Sequence, residues 1–227
     1  MSTVSDGRRD SRDLQLVARL SRLYVSVVSD CLDRVGLRNN VMAPHIRPLV
    51  RGMRLAGFAA TVLAVHVDQP PADSEDWYAG EIRAVDSQQR GDVMVVSTCH
   101  GSYWGELLAT ASRSRGAGGI VADAYTRDVR ALVEMGYPTF VAGISAQDSL
   151  GRIDVAEVGG EISCGGVIVA QGDLLLADDD GVVVVPSAVA EEVLGLAEAK
   201  VAIENVMRKQ LADGLSVREA FAMHGVL

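Results

Sequence analysis

Large aromatic rings are scarce in this chain: three Phe, two Trp and five Tyr among 227 residues, or 4%. With 48% apolar residues in all, the core must be built from Val, Leu, Ala and Ile. That composition suits a Val-rich sheet covered by Ala- and Leu-rich helices. An excess of positive charge is also lacking. The formal net charge is −9, and without a basic patch the chain is not expected to bind nucleic acid. An anionic metabolite would need a local positive site or a metal. Cysteine is too sparse for a disulfide framework. Cys31, Cys99 and Cys164 are widely spaced among apolar neighbours and form no zinc pattern. They read as buried free thiols of a cytoplasmic protein. No apolar run is long enough to span a membrane, and "MSTVSDGRRDSRD" has no signal-peptide core. Residues 1–12 are expected to form a flexible polar leader and 13–227 a single domain, long enough to bury a substantial core.

What is present is an alternation of elements. Leu16, Leu20, Leu23, Val27, Cys31 and Val35 recur at helical spacing and predict one helix that ends at Gly36. "FAATVLAVHV" predicts a strand, "WYAGEIRAV" a short helix, "DVMVVS" a strand and "WGELLATASRSRG" a helix. "GIVAD" follows as a strand, "DVRALVEMG" as a helix and "PTFVAG" as a strand. Buried strands alternating with helices predict consecutive right-handed βαβ units. In "GGVIVAQGDLLLADDDGVVVVP", Gly-Asp and Asp-Asp-Asp-Gly mark turns between further strands, and a last helix spans roughly 188–211.

In parallel units, loops after the strands emerge on one edge of the sheet. "TCHGSYWGE" and "AYTRD" should therefore face one crevice, each leading into a helix N-terminus that favours anions. Gly101 and Gly105 allow close backbone approach, and Arg127 offers a planar fork to a carboxylate. Asp128 and Glu106 supply hard oxygen ligands for Mg²⁺ or Mn²⁺. Plainer roles stand beside these. Asp128 could cap its own helix, and Glu106 could simply answer a helix dipole. Asp178–Asp179–Asp180 reads as a turn. "GAGG" precedes a strand instead of following one, so it is no dinucleotide fingerprint. His100 reads as a bystander, and His45, His66 and His224 show no supporting partners.

On "VSDCLDRVG", "GFAATV", "GDVMVV", "WGELLATAS", "GAGGIVADAYTRDV", "MGYPTFVAGIS" and "ISCGGVIVAQGDLLLADDDGVVVVP", nearly the whole chain resembles one family. That family holds the regulator of ribonuclease activity A and the class II 4-hydroxy-4-methyl-2-oxoglutarate aldolases. The resemblance implies a compact β/β/α swivelling-domain-like sandwich with a βαβαβ core and a C-terminal helix. It also implies a homotrimer or homohexamer with sites between subunits. Arg127 and Asp128 match the aldolases' Arg-Asp pair, the arginine for a pyruvyl carboxylate or enolate and the aspartate for a divalent metal. The regulators lack the aspartate, so "TRD" favours an enzyme over a non-catalytic binder of a ribonuclease. Glu106 stands where the aldolases commonly have Asp. The N–H groups of Leu107 and Leu108, after Gly105, match those that hold the pyruvate carboxylate. Glu204, in "ENVMRKQLADG", is a candidate acid and metal ligand reaching a neighbouring subunit's site. The implied reaction is metal-dependent retro-aldol cleavage of a 4-hydroxy-2-oxo acid to pyruvate, with oxaloacetate decarboxylation beside it and a metal-linked water as base. The loops carry no lysine, which disfavours a Schiff base. Asp148, Ser149 and Arg152 depart from the aldolase pattern. Arg152 could meet a distal carboxylate or an acidic neighbour. Such a branch is often labelled a dimethylmenaquinone methyltransferase, but no S-adenosylmethionine-binding glycine loop follows a first strand.

Overall fold

The structure is a computed structural model and describes residues 9–226. Two helices, α1 (Ser11–Leu20) and α2 (Val25–Arg34), precede the short β1 (Arg47–Pro48) and the long β2 (Leu55–His66). Then come α3 (Ala79–Asp86), β3 (Asp92–Val96), β4 (Ser102–Trp104), α4 (Glu106–Ser114), β5 (Gly119–Thr126), α5 (Val129–Met135) and β6 (Thr139–Ile144). The chain continues through β7 (Ile153–Val158), a β8 (Ile162–Cys164) and β9 (Val167–Val169) hairpin, β10 (Leu174–Asp178) and β11 (Gly181–Val185). It closes on α6 (Ala190–Ala212) and α7 (Val217–His224).

The main sheet runs β1-β6-β5-β3-β2-β10-β11. β2, β3, β5 and β6 are mutually parallel, as the βαβ expectation required, while β10 and β7 pair antiparallel to β2. β2 is long enough to hold β10 along its first half and β7 along its second. The central strands bury Val93–Val96 and Ile120–Ala122 on both faces, so Val and Ala fill the core in place of rings. One face packs on α3, α4 and α5, and another on α1, α2 and α6.

Three expectations are corrected. The predicted first helix is two, because the chain turns extended at Tyr24 (φ −127°, ψ 155°). The Arg54 guanidinium bonds the Ser21 and Leu23 carbonyls freed at that break. Residues 9–12 of the expected leader are docked: Arg9 lies 4.1 Å over the Phe58 ring and 3.2 Å from Asp92, and α1 starts at Ser11. The remainder of the leader, 1–8, lies outside the described residues. The strand expected to stop at Asp123 runs on to Thr126.

Candidate active site

β4 creates the site. It pairs with the far end of β5, and the Arg127 N–H donates to the Trp104 carbonyl at 2.9 Å. The two loops expected to share a crevice are thereby laid side by side, Gly105–Glu106 against Arg127–Asp128. Between them lies a cavity of about 330 Å³, walled by Tyr78, Glu81, Tyr103, Gly105, Leu107, Leu108, Arg127 and Asp128 among others. A second cavity, about 250 Å³, opens on the other side of Arg127 and Asp128.

Asp128 has a left-handed backbone (φ 56°, ψ 33°). It occupies the cap position of α5, yet its side chain makes no cap bond there. Its Oδ2 instead accepts the Glu106 N–H, at the start of α4, at 3.1 Å. The role as cap of its own helix is thus not the one adopted. Gly105, the cap residue of α4, has no side chain to do that work, and a Cβ there would stand 2.7 Å from Asp128 Oδ2. The next N–H groups of α4, at Leu107 and Leu108, have no partner among the described residues. Such free first-turn donors attract an anion. Tyr78 (φ 59°) and Asp128 are the two described non-glycine residues at positive φ, and both line this cavity. Strain gathered in one place is a mark of a functional site.

Arg127 reaches toward two carboxylates, 3.8 Å from Asp128 and 3.0 Å from Asp148. Neither contact has hydrogen-bond geometry, and Asp148 Oδ1 accepts no hydrogen bond. The guanidinium is paired with Asp148 and makes no hydrogen bond to the described residues. Asp148 Oδ2 accepts the Tyr78 hydroxyl at 2.6 Å. Burial pushes the Asp148 pKa up, but the Tyr78 hydroxyl, the Arg127 charge and the Ser149 and Leu150 N–H groups bring it below the ordinary range. Asp148 was legible as a departure in its loop but not as the counter-ion of Arg127, because that contact spans a sequence-distant fold. Arg152 is exposed and bonds the Asp148 carbonyl, not its carboxylate.

Glu106 does not turn its carboxylate toward Asp128; its Oε1 accepts from Thr110 one turn along α4. Only its backbone joins the pair. Glu204 lies on α6, where it accepts the Tyr24 hydroxyl and stands 3.7 Å from Lys200. It does not line this cavity within one chain. Among the described residues no three acidic, His or Cys groups gather as a preformed metal cluster. The donor set nonetheless fits a hydrated Mg²⁺ or Mn²⁺, ions that take one or two protein carboxylates and complete their shell with water and substrate. Asp128 Oδ1, which accepts no hydrogen bond from the described residues, is the oxygen that would hold it.

The histidines expected to lack partners all have one. His66 lies 3.3 Å from Asp68 and His224 2.6 Å from Gln210. His45 lies 2.7 Å from buried Asp123, which also accepts from Thr98 and the Gly165 N–H. Periodicity could not find that pairing, since residues 45 and 123 meet only through the sheet. Asp178 and Asp179 accept backbone N–H groups of Val25, Asp180 and Gly52, so the acidic triplet is a bonded turn.

An arginine, a helix N-terminus and an aspartate thus line one cavity of a mixed α/β domain. The family model for Aldolase/RraA, described as RraA-like, matches residues 25–184, and the chain belongs to that family. It is 28% identical to a Halalkalibacterium halodurans protein provisionally named 4-hydroxy-4-methyl-2-oxoglutarate aldolase, covering 92% of this chain and 94% of that one. A crystal structure of an uncharacterized Pseudomonas syringae protein aligns with TM-score 0.78 at 27% identity, over 91% of this chain and 96% of the other. Streptomyces coelicolor RraAS2, described as an unusual member of the RNase ES inhibitor RraA family, aligns with TM-score 0.78 at 27% identity, over 89% and 100%. The mixed α/β fold with its C-terminal helices is the fold of these relatives. Among the described residues, no helix is long and apolar enough to cross a membrane.

Proposed function

We propose that the protein is a divalent-metal-dependent carbon–carbon lyase that cleaves a 4-hydroxy-2-oxo acid to pyruvate and decarboxylates oxaloacetate as a side reaction. One observation carries the proposal: Arg127 lines a cavity beside Asp128, and its guanidinium makes no hydrogen bond to the described residues. An arginine whose charge is balanced but whose fork is unfilled suits a planar carboxylate or enolate. The Leu107 and Leu108 N–H groups offer the substrate carboxylate two further donors. Asp128 would hold Mg²⁺ or Mn²⁺, which when bound supplies Lewis-acid stabilisation of charge developing on the 2-oxo oxygen. Arg127 stabilises the same charge as the C3–C4 bond breaks, and Leu107, Leu108 and Ile82 give the cavity an apolar side.

Glu204 belongs to this reading only in an assembly, a homotrimer or homohexamer, that brings it to a neighbouring copy's cavity; sedimentation should report three or six copies. A stable monomer would remove Glu204 from the site. The likeness to RraAS2 keeps a non-catalytic partner-binding role as the rival. Pyruvate release from 4-hydroxy-4-methyl-2-oxoglutarate and oxaloacetate, with Mg²⁺ or Mn²⁺ and then with EDTA, separates the two. Metal-dependent turnover supports the lyase. Its absence with both compounds and related oxo acids favours the rival.

A further inference from the structure

Glu81 is an acidic residue with nothing to neutralise it. It lies in the first turn of α3, is 3% exposed, and lines the same cavity as Arg127 and Asp128. Ser149 lies beside its carboxyl, and its Oε1 has no hydrogen-bond partner among the described residues. The groups around it offer no cation. Asp154 faces it from β7 and Asp148 from the loop before that strand, with the Tyr103 phenol from β4 and the Tyr78 phenol from the approach to α3. Glu157, also on β7, is exposed. On α4, the other helix packed against α3, Glu106 is bonded to Thr110 and Arg113 to the Met135 carbonyl. Arg127 is engaged by Asp148. An ionised Glu81 would be a buried anion beside other carboxylates, which is costly. Burial, with Asp154 and Asp148, pushes its pKa above the ordinary range, and Ser149 offsets this only in part.

We propose that Glu81 is a further catalytic residue: a neutral carboxylic acid in the cavity wall that returns the proton to C3 of the pyruvate enolate. The inference rests on the lyase reading above. In the step, the enolate's C2–C3 electron pair forms the new C3–H bond. The Glu81 O–H bond breaks, its electrons stay on the carboxylate, and the 2-oxo group is restored. Water then reprotonates Glu81, while the substrate's 4-hydroxyl proton leaves to solvent, so no net proton is consumed. A carboxyl buried in the cavity wall without a cation beside it favours its protonated form, which suits a proton donor.

The same step run backwards removes a C3 proton from pyruvate. Wild-type protein with Mg²⁺ and pyruvate in D₂O should therefore exchange the methyl protons, a loss followed by NMR. Glu81→Gln should slow this exchange by about 100-fold. Oxalate, a planar enolate mimic, should bind the variant within about threefold of wild type, because the Arg127 end of the cavity is intact. Glu81→Asp retains an acid and should recover part of the exchange, and it serves if the Gln variant fails to fold. An infrared band of a protonated carboxyl at neutral pH, absent from Glu81→Gln, is the readout independent of turnover. Exchange at the wild-type rate in Glu81→Gln would overturn the assignment while leaving the lyase reading standing. Failure of the wild type itself to exchange or to release pyruvate would overturn both.

Discussion

Asp128 caps a helix that is not its own: its Oδ2 accepts the N–H of Glu106, which begins α4, at 3.1 Å. One carboxylate therefore ties the end of β5 to the start of α4, in a residue that lines the cavity. Asp128 holds this bond from a left-handed backbone and makes no cap bond to α5. Asp and Asn tolerate that conformation better than other non-glycine residues.

Gly105→Ala should separate activity from stability. Gly105 has an extended backbone (φ −154°) that any residue adopts. The new methyl would meet Asp128 Oδ2 at 2.7 Å and Arg127 Cγ at 3.4 Å, so the carboxylate must move. Thermal unfolding should shift by only a few degrees, while kcat/KM falls by about 100-fold, the effect of displacing a reacting group by an ångström. Unchanged kinetics in a folded Gly105→Ala would show that the Asp128 position does not matter to turnover.

Asp148→Asn removes a negative charge 3.0 Å from Arg127 while leaving an acceptor for the Tyr78 hydroxyl. If Asp148 competes with the substrate for the guanidinium, KM for an anionic 2-oxo acid should fall by about 2- to 5-fold, the range of a partly exposed ion pair. Added salt should shrink the difference. A raised KM would instead make Asp148 a contact of the substrate.

The parallel strands and the pairing of two loops at one edge were legible because buried Val-Ala runs broken by helical periods allow few topologies. That "TRD" would lie at the crevice was legible because the pair stands where a strand ends and a helix begins. The break at Tyr24 was not, since Leu20, Leu23 and Val27 keep helical spacing across it and the Arg54 bonds that stabilise the break come from far along the chain. Glu81 escaped notice for a related reason. In "WYAGEIRAV" it reads as an ordinary polar position of a short helix, and only β7 packing over Gly80, with Val155 against that backbone, buries it. Asp128 as the cap of α4 required β4, a three-residue strand too short to leave a periodic signal.

Glu81 should also shape stability against pH. A carboxyl whose folded pKa lies above its unfolded value leaves the native state holding more protons than the unfolded state between the two values. Stability is therefore lost as pH rises from the ordinary carboxylate range through the raised pKa. Glu81→Gln removes that dependence. Relative to wild type it should gain stability as pH is raised from the acid side toward neutrality, measured by thermal unfolding at several pH values. A difference between the two proteins that stays flat with pH would mean that folding leaves the Glu81 pKa unshifted.

The most direct test of the metal-dependent site is a Mn²⁺ titration of kcat/KM for pyruvate release in Asp128→Asn beside Arg127→Lys. Asn keeps the size and the left-handed backbone and still accepts the Glu106 N–H, but it removes the anionic ligand. Arg127→Lys keeps the charge and loses the fork. Excess Mn²⁺ should restore much of the activity of Asp128→Asn, with a raised metal requirement, and do little for Arg127→Lys. Wild-type turnover and wild-type metal dependence in Asp128→Asn would contradict the account, leaving Asp128 as the cap of α4 and nothing more.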